Sequence, residues 1–220
     1  MITLAKNQGQ IMTVAATPGT SIVENDREAI NGQPLLLNVS GVTLNVTPEQ
    51  YYRLNSDNQD LRLELTKTGQ LFFKPLFFMN IGLISPNLMM QVYEWNEQAG
   101  LGTAFGSSMG YDFLEIGGGI MNPDLSWVAQ SRWEVSDQFC PVAPDFVLEY
   151  SPDQDRLAIW QDRMVEYRRL GVKLGLLVNL RSKQVESYRP GQETEVLESP
   201  ASINCNEVMP GLILDMNRIW

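Results

Sequence analysis

The chain has 220 residues, of which 44% are hydrophobic, and a formal net charge of −10. Its length and apolar content support one domain with an extension, and its acidity argues against tight nonspecific binding to a phosphate backbone, which needs clustered Lys and Arg. It contains no histidine, which excludes histidine-based triads, histidine general bases and histidine-ligated zinc.

In chain order, residues 1–44 are rich in Thr, Ala, Asn and Gly, with little period. Leu35-Leu36-Leu37 and Val42-Thr43-Leu44 are candidate short strands. They belong either to an arm on another subunit of a homo-oligomer, expected to be a dimer, or to a partly flexible tail. Thr47-Pro48-Glu49-Gln50 is a helix start, with Thr as N-cap and Pro at the first helical position. Leu61 to Leu65 alternates as a strand, Thr68-Gly69 turns, and Gln70 to Phe73 returns as the hairpin partner. Glu64 in that hairpin is either functional or a solvent-facing or Arg-paired residue.

The apolar patch from Leu71 to Met90 is interrupted by Lys74, Pro75, Asn80, Pro86 and Asn87, so it is no membrane span. Leu88, Val92 and Trp95 then predict a core helix over 83–98, followed by strands around 104–114. Gly117-Gly118-Gly119 is a turn, not a phosphate loop, because no GK[ST] follows. The N-terminus lacks a signal-peptide pattern, and Cys140 and Cys205 fit no metal spacing. The expected location is a reducing cytoplasm.

Two segments carry the candidate chemistry. In Asp124-Leu125-Ser126-Trp127-Val128, Leu125 and Trp127 share one face, Asp124 and Ser126 the other. In Asp145 to Glu149, Phe146 and Leu148 oppose Asp145, Val147 and Glu149. Carboxylates inside apolar strands are costly unless something binds them, and two on one sheet edge suit a hard cation such as Mg2+. The plainer alternative makes Asp124 and Asp145 caps of strand starts after proline, with Glu149 beginning a turn. A last helix follows Ser151-Pro152-Asp153, with Leu157, Trp160, Met164 and Tyr167 as its apolar stripe and Gly171 as its C-cap. Residues 174–180 and 183–189 read as strands. The order predicts a mixed α/β sheet flanked by helices.

Together, Leu61-Arg62-Leu63-Glu64, Asn122-Pro123-Asp124-Leu125-Ser126-Trp127-Val128, Arg132-Trp133, Pro144-Asp145-Phe146-Val147-Leu148-Glu149, Gln161-Asp162-Arg163-Met164, Tyr188-Arg189-Pro190-Gly191 and Met209-Pro210-Gly211 resemble the Uma-type restriction endonucleases of the PD-(D/E)XK superfamily, abundant in cyanobacteria. The likeness covers roughly residues 45–220, leaving 1–44 as an extension. It implies a restriction-endonuclease-like core and Mg2+-dependent (or Mn2+-dependent) hydrolysis of DNA. By the same resemblance Asp124 and Glu149 match the metal-binding acids, Glu64 an early acidic residue, and Arg163 the position of a helix lysine.

Two departures stand out against that family. Glu149-Tyr150 runs straight into Ser151-Pro152, as if one residue were deleted. The stretch Phe77-Phe78-Met79-Asn80-Ile81-Gly82-Leu83 is almost wholly apolar where the family carries polar residues. Arginine in place of lysine also removes a group able to exchange a proton with water. The sequence therefore supports two readings: a Mg2+-dependent DNA endonuclease using Glu64, Asp124, Glu149 and Arg163, or a catalytically inactive nuclease fold with a binding or regulatory role.

Overall fold

The computed structural model describes residues 43–74, 79–132, 139–151 and 157–220, together with the strands at 2–6, 10–14 and 36–37. Phe77, Phe78, Trp133, Pro152 and Asp153 lie outside the described residues. The chain divides into two compact units, Met1–Leu44 and Asn45–Trp220. In the first, β1 (Ile2–Lys6) pairs antiparallel with both β2 (Gln10–Val14) and β3 (Leu36–Leu37).

The second unit opens with α1 (Pro48–Asp57), started by a full capping box: the Thr47 hydroxyl accepts from the Gln50 N–H while the Gln50 side chain accepts from the Thr47 N–H. Next come β4 (Leu63–Leu65), β5 (Leu71–Phe73) and α2 (Met79–Ala99), then β6 (Gly102–Gly106), β7 (Tyr111–Asp112) and β8 (Ile120–Met121). The strands β9 (Leu125–Ala129) and β10 (Phe146–Ser151) lead to α3 (Leu157–Arg169), β11 (Leu174–Asn179) and β12 (Gln184–Tyr188). The chain finishes with β13 (Glu195–Glu198), β14 (Ser202–Asn204) and β15 (Ile213–Asp215).

The main sheet has the order β13-β12-β11-β10-β9-β6. Only its β10–β11 pair is parallel, and α3 is the crossover between those strands. Its period-2 alternation sorts side chains onto two faces. Leu125, Trp127, Phe146, Leu148 and Tyr150 face Leu88 and Val92 of α2 and the C-terminal Leu212, Leu214 and Met216. Val128, Val147 and Leu177 face Trp160, Met164 and Tyr167 of α3. Gly175 makes that second contact possible, because a Cβ there would come within 2.6 Å of the Met164 methyl.

A second, antiparallel sheet runs β5-β4-β8-β7. Its β4–β5 hairpin is amphipathic. Leu63, Leu65, Leu71 and Phe73 pack with Tyr51 of α1 and Ile120, which leaves the alternate positions of both strands for the site. Gly119 lets β8 approach β4, since a Cβ there would stand 1.9 Å from the Leu65 carbonyl oxygen. Among the described residues no helix is long and apolar enough to cross a membrane.

Candidate active site

The β4–β5 hairpin delivers four side chains to one face. Glu64 pairs with Phe72 in the ladder, and the Lys74 N–H donates to the Arg62 carbonyl one step further along, at 2.9 Å. The positions are two apart on each strand, so Arg62, Glu64, Phe72 and Lys74 share a face opposite the leucines. Across from them, β9 and β10 pair with Leu125 opposite Leu148. Continuing that register sets Asp124 opposite Glu149. The α3 helix closes the cluster with Trp160, Arg163 and Tyr167 at helical spacing.

Glu64, Lys74, Asp124 and Glu149 are buried, Arg62 and Arg163 are partly buried, and every carboxylate oxygen is engaged. Asp124 Oδ1 forms an ion pair with Lys74 Nζ at 2.9 Å and accepts from the Arg62 guanidinium at 3.0 Å, while Oδ2 accepts from the Tyr150 N–H at 3.1 Å. Glu149 Oε2 accepts from Lys74 Nζ at 2.7 Å; Oε1 accepts from Arg163 at 2.8 Å and from the Tyr167 hydroxyl at 3.2 Å. Glu64 is held by Arg163 through both its oxygens, and its Oε1 also accepts from the Asn122 N–H at 2.7 Å. Lys74 completes its own set by donating to the Asn122 carbonyl at 2.7 Å. Its ammonium lies 5.6 Å from the Trp160 ring centroid, and the Arg163 guanidinium sits among Phe72, Trp160 and Tyr167.

Three acids and three bases thus face one another inside the protein. Burial pushes Asp124 up to about 6; Lys74 pulls it down, and the neighbouring Glu149 charge adds to the rise. Burial also opposes ionisation of Glu149, but Lys74 and Arg163 outweigh it and hold its carboxyl well below the ordinary range. Asp124 is therefore the last of this pair to ionise. Arg163, pressed between Glu64 and Glu149, is raised further above its already high value, burial notwithstanding.

The structure brings together Glu64, Asp124, Glu149 and Arg163, the four candidates from the sequence. Glu149 lies inside β10 and begins no turn. Asp145, which follows proline as Asp124 does, sits elsewhere: it accepts from the Ala129 N–H and pairs with Arg132 at 2.7 Å and Lys173 at 2.8 Å, as a strand-start anchor. Lys74 and Arg62 were not among the sequence candidates. The available signal for Lys74 was a lone cation in an apolar run, two residues beyond Phe72 on a strand whose partner carries Arg62 and Glu64.

A divalent cation does not fit this arrangement. Every oxygen of the Asp124, Glu149 and Glu64 carboxylates already accepts from a protein donor, and the nearby acidic charge is balanced by Lys74, Arg62 and Arg163. Among the described residues no group of three or more His, Cys, Asp or Glu is placed to hold a metal ion. A groove of about 650 Å³, lined in part by Glu64, Phe72, Met121, Asp162, Arg163 and Glu166, opens onto the Arg163 side of the cluster.

A mixed sheet flanked by helices, with acids opposed across β9 and β10, defines a nuclease-like fold. The chain belongs to the Uma2 family, described as "putative restriction endonuclease", whose model matches residues 48–217. Among solved structures it is similar to "a putative nuclease belonging to DUF820" from Anabaena variabilis, with a TM-score of 0.62 and 22% identity over 71% of this chain and 88% of that one. No curated protein matches.

Proposed function

We propose that this protein is a non-catalytic member of its nuclease family, acting through binding or regulation and not through phosphodiester hydrolysis. The observation that supports this reading is the seat of Lys74: a side chain with 0% exposure, with one ammonium bonded to both acids that would otherwise hold Mg2+. Hydrolysis by a metal-activated water needs an open coordination position and a nucleophile poised beside it. Arg163, at the family's lysine position, cannot give up a proton to generate that nucleophile. The centre is thereby a stabilising ion cluster.

The second reading, a Mg2+- or Mn2+-dependent DNA endonuclease, is favoured by the family match over residues 48–217. In that reading Asp124 and Glu149 bind the metal, Glu64 supports them, and Arg163 stabilises charge on the phosphate, but Lys74 must first vacate the acids. Supercoiled plasmid incubated with the full chain in Mg2+ or Mn2+ separates the two. No nicking above an Asp124→Ala control is expected; nicking that Asp124→Ala abolishes would overturn the non-catalytic reading.

A further inference from the structure

We propose that Lys74 is a built-in substitute for a divalent cation, and that removing its charge opens a metal site on the oxygens it now occupies. The inference rests on the non-catalytic reading and names the group responsible for it. Nζ touches three oxygens: Asp124 Oδ1 at 2.9 Å, Glu149 Oε2 at 2.7 Å and the Asn122 carbonyl at 2.7 Å. Two anionic oxygens and one neutral carbonyl converging on a point are the donor set of a hard cation. Acidic clustering alone would not make a site. Here a cation already stands at the point of convergence, and it belongs to the chain.

The geometry also says why this cation stays. Nζ donates hydrogen bonds to Glu149 and to the Asn122 carbonyl and forms an ion pair with Asp124. The Lys74 N–H is fixed to the Arg62 carbonyl, so the side chain springs from a strand end and not from a loose loop. Trp160 covers the ammonium from the α3 side. A metal ion binding at ~2.1 Å would draw oxygens now 2.7–2.9 Å from Nζ inward by about 0.6–0.8 Å, a shift within reach of side-chain adjustment. With Lys74 in place, any divalent ion must displace a buried charge that cannot reach water without leaving the cluster.

Methionine matches the lysine stem in length and removes its charge, leaving Asp124 and Glu149 facing an apolar terminus. The test uses the full chain in metal-free buffer, titrated with Mn2+ and followed by the electron paramagnetic resonance signal of the free ion and by thermal unfolding. Wild type is expected to show no saturable binding. Lys74→Met is expected to bind Mn2+ at least ~10-fold more tightly than wild type and to unfold at higher temperature in its presence, while Lys74→Met/Asp124→Asn loses both effects. Lys74→Gln, which keeps an amide donor among the oxygens, serves should Lys74→Met not fold. Saturable binding by wild type that Asp124→Asn removes would overturn the proposal. So would folded Lys74→Met or Lys74→Gln proteins that bind no better than wild type. Either result can occur without plasmid nicking, so this proposal can fail while the non-catalytic reading stands.

Discussion

Replacing Lys74 by methionine, with metal removed by EDTA, isolates the energetics of the ion cluster. Each carboxylate lies 2.7–2.9 Å from Nζ, which corresponds to a gross attraction of about 6 kcal/mol per pair at an effective dielectric of about 20. Desolvation of the ammonium offsets several kcal/mol of this. Breaking a buried pair by removing one partner nevertheless costs roughly 3–5 kcal/mol, because the remaining charges stay buried without compensation. Lys74→Met should therefore lose about that much of an unfolding free energy on the order of 5–15 kcal/mol, leaving a folded protein. Asp124→Asn made on top of it restores the balance to two acids against Arg62 and Arg163. Urea unfolding at neutral pH should then show Asp124→Asn more favourable in the Lys74→Met background than in wild type, a coupling of at least ~1 kcal/mol. If Lys74→Met costs less than ~1 kcal/mol, or the two effects add to within ~0.5 kcal/mol, the cluster is not the tightly coupled unit described above.

Four further outcomes are expected. The Asp124 carboxyl is raised from 3.8 to about 6, so its contribution to stability is full below 3.8 and is lost as pH rises through about 6. The wild-type minus Asp124→Asn difference in urea unfolding should fall across that window by up to ~3 kcal/mol. Arg163→Lys gives up the planar fork shared by Glu64 and Glu149 and should cost ~1–3 kcal/mol in urea unfolding, without creating plasmid nicking. Gly119→Ala drives a Cβ to 1.9 Å from the Leu65 oxygen and should lower the melting temperature as much as a severe core substitution, ~3 kcal/mol or more. Deleting residues 1–44 should change the oligomeric state read by light scattering, with Mn2+ titration unaltered.

The elements that position the site were legible where local chemistry and tertiary packing agree. Thr47 and Gln50 signalled α1 because both halves of the capping box lie within one turn. Leu157, Trp160, Met164 and Tyr167 signalled α3 because a helix stripe and a sheet face have complementary periods. The opposition of Asp124 and Glu149 followed from two strands with matching alternation. Asp145 carried the same local signal as Asp124, a proline before and an apolar strand after. Only the tertiary neighbours Arg132 and Lys173 distinguish an anchor from a member of the cluster. The strands β13 to β15 are too short for a period to stand out.

Lys74 escaped for a different reason. Its meaning lies in pairing, not in its neighbours along the chain. Within Phe72-Phe73-Lys74-Pro75 it only interrupts an apolar patch, and the strand ends before the alternation can be seen to continue. Folding the hairpin brings Lys74 opposite Arg62 and Phe72 opposite Glu64, and the interruption becomes the centre of a buried charge cluster.

The consequence reaches beyond this one lysine. A metal-dependent centre keeps its acids uncompensated until the ion arrives, so the apo fold carries the repulsion of buried like charges, a cost that function requires. In this chain Lys74, Arg62 and Arg163 offset that repulsion from within. Stability no longer depends on the free concentration of a divalent ion, as it does when a bound ligand shifts the folding equilibrium. A chelator should thus leave the wild-type unfolding curve unmoved but destabilise Mn2+-loaded Lys74→Met. The same side chains that make the cluster independent of metal leave no position open for a metal-bound water, which ties the stability of this fold and its proposed loss of catalysis to one ammonium group.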